Sequence, residues 1–440
     1  MADEPHRLGA AEAARLIRGR KLTSRELVED CLNQIARHDA DIEAWAFLDP
    51  DHALRQAEAC DADLARGGLT GPLHGVPVGI KDIYDTDDMP TENGSPLHAG
   101  RRPERDSAAV ALLRAAGAVI LGKTVTTEFA NMHPGKTRNP HDPARTPGGS
   151  SSGSAAAVAA HMVPAAVGSQ TNGSVIRPAA FCGVVGFKPT HGLIPRTGIL
   201  QLSRALDTMG SFTRSVEDAA LVVECMAGFD AGDPDTRPQA RPPLVETARQ
   251  EPATAPRLAF VRTPVWDKAE ASTRAAFEDL ARRLGIETVE LPQDFAHVHE
   301  WQRIICDVEM ATGLAVEYDR GRERMSAGLV KTIERGQTAL AVDYKRALAG
   351  SPALNALLAP TFARFDALLT PATPGVAPVG LETTGNPVFN TIWTYLGTPA
   401  VTLPLLKGDA GMPLGLQLVG PRNADAQLLR TANWLVARLR

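Results

Sequence analysis

Pro147-Gly-Gly-Ser-Ser-Ser-Gly-Ser-Ala-Ala-Ala157 is the stretch of this 440-residue chain that decides its fold. Runs of Gly and Ser are usually flexible linkers. This run instead follows a proline and leads into an Ala- and Val-rich segment, which predicts a helix from about 154 to 162. We therefore expect an ordered turn that enters a helix, with Ser152 and Ser154 at the helix start.

Inside that stretch, residues 149–153 fit the G-x-S-x-G pattern of a nucleophile elbow, which would make Ser151 the nucleophile. Such an elbow requires a strand immediately before it, whereas residues 139–147 are polar and contain three prolines. It also requires a late catalytic histidine, and the last histidine of this chain is His299. The sequence therefore argues against the elbow.

A second pattern, Gly-Ala-Val-Ile-Leu-Gly-Lys-Thr at 117–124, fits the spacing of a phosphate-binding P-loop. A P-loop needs a flexible turn whose backbone N–H groups face phosphate. The four apolar residues between these glycines instead predict a buried strand with Lys123 at its end. No nucleotide site is expected here.

Apolar runs alternate with helical segments along the chain, which predicts a layered α/β structure. A capping box of Thr23 and Glu26 predicts the start of the second of two helices within the first 40 residues. Residues 229–257 contain six prolines and many charges, which predicts an exposed connection or insertion. Strands are predicted at 76–80, 118–121, 184–187, 257–261, 366–369, 400–403 and 414–418, and further helices at 51–66, at 106–116, in the region up to about 350, and at 424–439.

Composition excludes several function classes. The formal net charge of -5 gives no basic field for nucleic acid or for an acidic membrane surface. No apolar run approaches the ~18 residues of a transmembrane helix, and the N-terminus lacks the pattern of a signal peptide, so we expect a cytoplasmic protein. The five cysteines are scattered, which argues against a disulfide framework or a zinc site.

Five ordered blocks carry a resemblance: 71–82 (Gly-Pro-Leu-His-Gly-Val-Pro-Val-Gly-Ile-Lys-Asp), 147–157, 181–190 (Phe-Cys-Gly-Val-Val-Gly-Phe-Lys-Pro-Thr), 396–404 and 415–420. Together they resemble the amidase-signature family. The resemblance implies a single α/β domain over 1–440, with a large twisted mixed β-sheet covered by helices. Its parts are N-terminal helices (1–70), a signature core with the catalytic residues (71–228), a Pro-rich connection (229–257), and a helical insertion with closing strands (258–440).

The resemblance further implies a catalytic triad, with Ser174 as nucleophile, Ser150 as bridging serine and Lys81 as base. The two serines stand 24 positions apart, as is usual in the family. Lysine is a base only when neutral, so its pKa must fall from about 10.4 through burial or a nearby positive charge. The family also has a cis peptide bond before the bridging serine. By this resemblance, Ser150 would pass a proton between Ser174 and Lys81.

By the same resemblance, the oxyanion hole is formed by the backbone N–H groups of Thr171, Asn172, Gly173 and Ser174. Two glycines usually precede the nucleophile in this family, and here Asn172 takes one of their places. Asn tolerates unusual φ values better than most residues, so we expect the hole to be preserved.

Arg177 is a second departure from the family pattern. It stands three positions after the nucleophile, whereas many family members have an arginine two positions after it. Some members with this arrangement act on small carboxylated amides. Arg177 is therefore expected either to clamp a substrate carboxylate or to form a structural ion pair with an aspartate. Ser151 and Met132 are the other candidates for substrate binding.

The implied reaction is hydrolysis of a small-molecule amide or carbamate through an acyl-enzyme on Ser174, with no metal and no organic cofactor. A carbamate (urethane) or ester hydrolase with the same triad stays open, since the acyl chemistry is shared. An amide-transferring component of a tRNA amidotransferase and a scaffold that has lost activity are less favoured alternatives. A homodimer is expected by resemblance alone.

Overall fold

The structure, a computed structural model, describes residues 4–68 and 70–439. Among these residues, no helix combines the length and the hydropathy that crossing a bilayer demands. The strands are β1 (Trp45–Leu48), β2 (Pro77–Lys81), β3 (Val119–Thr124), β4 (Ala165–Gln170), β5 (Val185–Lys188), β6 (Thr208–Thr213), β7 (Leu258–Arg262), β8 (Glu287–Glu290), β9 (Ala367–Pro371), β10 (Ala400–Lys407) and β11 (Pro413–Val419). The α-helices are α1 (Ala10–Arg18), α2 (Ser24–Ile42), α3 (Pro50–Ala65), α4 (Ala108–Ala115), α5 (Ser152–Ala159), α6 (Ile176–Cys182), α7 (Val216–Met226), α8 (Leu244–Arg249), α9 (Ala271–Leu284), α10 (Val298–Gly313), α11 (Ala315–Gly321), α12 (Ala327–Thr338), α13 (Ala341–Arg364), α14 (Thr391–Tyr395) and α15 (Asp425–Leu439).

All these strands belong to one sheet, in the order β1-β3-β2-β4-β6-β5-β10-β11-β9-β7-β8. β2 runs parallel to both β3 and β4, and β7 runs parallel to both β8 and β9. The remaining pairs, including β4 with β6 and β10 with β11, are antiparallel. The expected α/β fold with a large mixed sheet is therefore confirmed.

The parallel pairing of β2 with β4 brings the catalytic candidates together. Ile80 on β2 is in register with Val167 on β4, so the C-terminal ends of both strands lie at the same edge of the sheet. Lys81 is the last residue of β2, and the turn that carries Ser174 begins directly after Gln170, the last residue of β4. Sequence positions that are far apart thus meet at one edge.

α5 is the helix that the Gly/Ser stretch enters, and it is buried along nearly its whole length. Its small side chains let it lie close to the sheet. A Cβ placed on Gly153 would stand 2.2 Å from the carbonyl oxygen of Ala44 and 2.4 Å from the backbone nitrogen of Val125. Only glycine fits at this position, so the stretch is a packing element and not a linker.

Gly153→Ala is therefore expected to destabilise the protein by about 1–3 kcal/mol, the usual effect of overpacking a well-filled core. The measurement is the free energy of unfolding in urea. The matched control is Gly328→Ala in α12, where a Cβ meets nothing within 4 Å. That variant should stabilise by about 0.4–1 kcal/mol, because alanine at a position with a compatible backbone conformation lowers the conformational entropy of the unfolded chain. Equal stability of both variants would contradict the close approach of α5.

The 117–124 stretch is a strand, as predicted, and its lysine lies deeper than expected. Lys123 is buried within β3, where its Nζ donates to the carbonyl oxygens of Tyr84 and Pro90 and lies 3.2 Å from the Asp82 carboxylate. A lysine held in this way is not available to a phosphate. The P-loop interpretation is rejected by the structure as well.

Most of residues 229–257 are exposed, as their prolines and charges predicted, but the segment also has buried parts. They contain α8, which buries Leu244 and Ala248. Asp233 is buried in a bidentate ion pair with Arg196. The expectation of an exposed segment thus holds for most of its residues. It fails at α8, which packs an apolar face, and at Asp233, because a charged residue can be buried when a partner of opposite charge is available.

Candidate active site

Lys81 is a completely buried lysine at the end of β2. Its Nζ donates to Ser150 Oγ at 2.7 Å and to Ser169 Oγ at 2.9 Å. Burial is the main cause that lowers the pKa of Lys81 to about 7; the Asp207 carboxylate opposes the shift and the Arg177 guanidinium adds to it. A large fraction of this lysine is therefore neutral at physiological pH, as a general base must be.

Ser150 lies in the turn before α5, and the peptide bond between Gly149 and Ser150 is cis, as the resemblance implied. The turn is fixed on both sides of this bond, since Arg177 Nη2 donates to the carbonyl oxygen of Gly149 at 2.7 Å and Thr127 N donates to that of Ser150 at 3.2 Å. Gly148 has φ +85°, and a Cβ there would stand 2.7 Å from Pro178 Cα. Glycine is required at 148 for the turn to close.

Ser174 follows β4 by a short turn and lies two residues before the start of α6, and it is 9% exposed. Gln170 fixes this turn, because its Oε1 accepts from the backbone N–H groups of Val175 and Ile176, both at 2.9 Å. None of the hydrogen bonds between described residues involves Ser174 Oγ. The link from Ser150 to Ser174 thus stays a prediction, and the Ser174 hydroxyl is open to a substrate.

The turn 171–174 has the property that an oxyanion hole requires. The backbone N–H groups of Asn172, Gly173 and Ser174 donate to no acceptor within the part of the chain that the structure describes. Thr171 is anchored through its Oγ1, which donates to Asp207 Oδ1 at 2.6 Å. Free donors on a fixed turn can stabilise a negative charge without reorganising.

Asn172, the departure from the family pattern, is held by two neighbouring helices. Its Oδ1 accepts from Thr391 Oγ1 of α14 at 2.8 Å, and its Nδ2 donates to Gln302 Oε1 of α10 at 3.4 Å. Gln302 also donates to the carbonyl oxygen of Thr171 at 3.2 Å. The Asn172 side chain therefore ties the turn to α10 and α14.

Asp207 is buried behind the same turn. Besides Thr171, its carboxylate accepts from the backbone N–H groups of Leu202 and Ser203. Burial raises the pKa of Asp207 to about 6. Its contacts are with backbone and side-chain donors of the protein, which fits an orienting role.

Arg177 is buried against uncharged acceptors. Besides Gly149, it donates to the Gly385 carbonyl oxygen at 3.0 Å and to Thr384 Oγ1 at 3.1 Å, while its Nε has no partner. Burial lowers its pKa to about 9. Among the described residues no carboxylate pairs with it, so the expected aspartate ion pair is not formed, and the carboxylate clamp stays a prediction.

A cavity of about 180 Å³ opens above Ser174. Met132, a predicted substrate-binding residue, is half exposed and lines it. Ser151, also predicted to bind substrate, does not line it, because its Oγ is turned into the core and donates to the Ser169 carbonyl oxygen. The lining residues are Ala130, Asn131, Met132, Thr171, Asn172, Ser174, Arg177, Leu202, Gln302, Arg303, Cys306, Asp307, Met310, Thr332, Arg335 and Pro387.

Two other features lie away from this cavity. A cleft of about 670 Å³, lined by residues of α1, α7 and α8, contains none of the predicted site residues. The carboxylates of Asp87, Asp88 and Asp106 lie close together, but Arg114 already pairs with all three. Neither feature joins the chemistry around Ser174.

Several site residues have no counterpart in the sequence-based prediction. Ser169 and Gln170 lie within a few positions of Ser174 and could have been suspected from that proximity. Gln302, Arg303, Asp307 and Arg335 come from α10 and α12, in a region without a motif. Only the folded chain brings them to the cavity.

Known proteins resemble this chain along nearly its whole length. The profile of the Amidase family matches residues 26–429. The chain is 35% identical to a subunit of the glutamyl-tRNA(Gln) amidotransferase of Acidothermus cellulolyticus, over 98% of this chain and 94% of that protein. It is also 35% identical to the putative amidase AmiD of Mycobacterium tuberculosis, over 97% of this chain and 93% of that protein.

Among solved structures, the native peptide amidase of Stenotrophomonas maltophilia superposes with a TM-score of 0.87 at 31% identity, covering 99% of this chain and 97% of the other. Family profile, relatives and structure together support an enzyme that acts on amides. With the profile matching nearly the whole chain and relatives at 35% identity along its length, this protein belongs to the amidase family.

Proposed function

We propose that this protein is a serine amidohydrolase that cleaves C–N bonds through an acyl-enzyme on Ser174. The observation that carries the proposal is the hydrogen bond of 2.7 Å from Lys81 Nζ to Ser150 Oγ, made by a wholly buried lysine whose pKa falls to about 7. A serine hydroxyl is a weak nucleophile and needs such a base.

The proposed reaction begins when Ser174 Oγ attacks the substrate carbonyl carbon. The Ser174 proton passes to Ser150 Oγ, and the Ser150 proton passes to Lys81 Nζ. The C–N bond then breaks, and the leaving nitrogen receives a proton along the same path in reverse. Water next adds to the acyl carbonyl and gives a proton to Lys81 through the same relay. The bond to Ser174 breaks, the proton returns along the relay to Ser174 Oγ, and a carboxylic acid is released.

The turn 171–174 supports this proposal electrostatically. As the carbonyl becomes tetrahedral, its oxygen gains negative charge, and the unpartnered N–H groups of Asn172, Gly173 and Ser174 are donors suited to it. Each such donor contributes about 10²–10³ to kcat in well-studied hydrolases. The anchors of this turn, Asp207, Gln302 and Thr391, keep those donors in place.

The test is turnover of a matched series of amide, ester and carbamate with the same acyl and leaving-group skeleton, with the released amine or alcohol measured. Labelling by a fluorophosphonate, with the modified residue identified by mass spectrometry, is the second readout. Amide turnover with the label on Ser174 is expected. Turnover confined to the carbamate or ester would select that alternative, and an unlabelled, inactive protein would select the scaffold.

A second candidate function rests on the relatives that are named as subunits of glutamyl-tRNA(Gln) amidotransferase, one of which is 35% identical over 98% of this chain. In that role the chain would release ammonia from glutamine for transfer within a complex. The isolated chain should then hydrolyse simple amides poorly, and its glutaminase activity should appear when partner subunits are added. The expected homodimer and cytoplasmic location remain predictions beside either function.

A further inference from the structure

The cavity above Ser174 carries an excess of positive charge. Its ionisable lining residues, other than the Cys306 thiol, are Arg177, Arg303, Arg335 and Asp307, which are three cations and one anion. The chain as a whole has a net charge of -5, so this excess is local to the cavity.

Asp307 is the only carboxylate in this group, and two guanidinium groups share it. Arg335 of α12 binds it bidentately, with Nε to Oδ2 at 2.8 Å and Nη2 to Oδ1 at 2.9 Å. Arg303 of α10 reaches the same carboxylate through Nη1 at 3.2 Å. One negative charge cannot neutralise two positive charges, so this trio keeps a net positive charge at the cavity wall.

The donors of this trio are only partly used. A guanidinium group has five N–H donors. Among the described residues, Arg303 donates a hydrogen bond to Asp307 alone. The side chains of Arg303 and Arg335 are 51% and 40% exposed. Both side chains thus have N–H groups free to bind a ligand that enters the cavity.

Arg177 adds a third positive charge that no carboxylate offsets among the residues that the structure describes. Its partners are two carbonyl oxygens and one hydroxyl, and its Nε has none although the side chain is 1% exposed. A buried cation without a counter-ion favours an anionic group nearby. The wall near Ser174 and the wall formed by α10 and α12 therefore both carry positive charge.

We propose that this cavity selects small amides that carry a carboxylate away from the scissile bond, with Arg303 and Arg335 as the residues that determine this specificity. The inference rests on the proposed amide hydrolysis. A carboxylate offers planar, bidentate acceptors to a guanidinium group, whereas a neutral substrate end leaves the free donors unpaired. The volume of about 180 Å³ lies below the roughly 300–1,000 Å³ of pockets for drug-sized ligands, which favours a small substrate.

The first experiment compares kcat/KM for succinamate, butyramide and 4-aminobutyramide, whose chains have the same number of carbons but end in an anion, a methyl group and a cation. Succinamate is expected to be preferred over butyramide by about 10- to 100-fold, the range of a charge-assisted hydrogen bond, mainly through KM. The cationic amide should be the poorest of the three. Equal values for succinamate and butyramide would overturn the proposal.

The second experiment uses two substitutions with opposite electrostatic signs. Arg303→Gln removes a positive charge and should lower the ratio of kcat/KM for succinamate to that for butyramide. Asp307→Asn removes the negative charge and should raise the same ratio. Structural damage alone would not move the ratio in opposite directions, so a shift of both variants the same way, or of neither, counts against the proposal.

The matched control is Arg346→Gln on α13, which removes an exposed arginine that pairs with Asp343 at 3.0 Å and does not line the cavity. Its ratio of kcat/KM for succinamate to that for butyramide should equal that of the wild type.

A third experiment measures carboxylate binding without turnover. Succinate bound in the cavity should protect Ser174 from labelling by a fluorophosphonate, and this protection should be weaker in Arg303→Gln. Turnover of all three amides without discrimination overturns the specificity alone, whereas no turnover and no labelling overturns the proposed function with it.

Discussion

Replacing Ser174 with alanine is expected to lower kcat by about 10⁶-fold, the loss seen when a hydrolase nucleophile is removed and only binding and the oxyanion hole remain. Attack on the carbonyl requires the Oγ atom, and neither Ser150 nor Lys81 lines the cavity in its place. The measurement is steady-state turnover of the best amide from the matched series, together with fluorophosphonate labelling. Labelling should be abolished completely, because the label bonds to the nucleophile.

Two further serine variants sharpen this result. Ser211→Ala in β6 removes a buried hydroxyl that has no hydrogen-bond partner among the described residues, and it should leave both rate and labelling unchanged. Ser150→Ala should still be labelled, but slowly, since the nucleophile remains while the relay is lost. Full labelling of the Ser174→Ala protein would place the nucleophile elsewhere, and a full rate in Ser150→Ala would exclude the relay.

The fold was predictable where its elements have sequence signals of their own. The capping box at Thr23 is present in full at the start of α2, and the apolar runs at 76–80 and 118–121 coincide with β2 and β3 to within a few residues. Predicted boundaries failed where no local signal exists. The helical region expected to end near 350 continues to Arg364, and β8 interrupts it.

β4 was missed for a physical reason. Residues 165–170 are Ala, Gly, Ser, Val and Gln, most of which do not favour strands by propensity. They are small because α5 and β6 lie against them: a Cβ on Gly168 would stand 2.5 Å from Ser151 Oγ and 2.8 Å from a ring carbon of Phe212. Tertiary packing, and not local preference, makes this segment a strand.

The site, like the fold, has a part that the sequence could predict and a part that it could not. Lys81, Ser150 and Ser174 lie in contiguous motifs, so resemblance could place all three. The cavity wall of Arg303, Asp307 and Arg335 comes from α10 and α12, amphipathic helices in which charged residues are ordinary. Nothing in the sequence distinguishes these arginines from the other exposed ones until the fold brings them beside Ser174.

Lys81 sets the second large effect, which is the dependence of activity on pH. A general base acts in its deprotonated form, and burial lowers the pKa of Lys81 to about 7. Below that value lysine is protonated and cannot accept the Ser150 proton; above it lysine is neutral. We therefore expect kcat/KM to fall about tenfold per pH unit below the midpoint and to level off above it.

The test is kcat/KM from about pH 5 to about pH 10 with a substrate that does not ionise in this range, where chemistry limits the rate. Lys81→Met should lower kcat/KM at least about 10⁴-fold and remove the alkaline rise, because residues of a relay act as a unit. Lys188 provides the matched control: it is equally buried, burial lowers its pKa to about 7 as well, and its Nζ donates only to backbone carbonyl oxygens among the described residues.

The folded fraction of Lys188→Met should therefore keep a pH profile of kcat/KM with its midpoint near 7, because Lys81 is intact and Lys188 does not line the cavity. If the midpoint disappeared in Lys188→Met and persisted in the residual activity of Lys81→Met, the pH dependence would belong to folding and not to the base. A flat profile in the wild type would exclude a titrating lysine from the rate-limiting step. The rise with a midpoint near 7, lost only with Lys81, is the outcome that ties the buried lysine to catalysis.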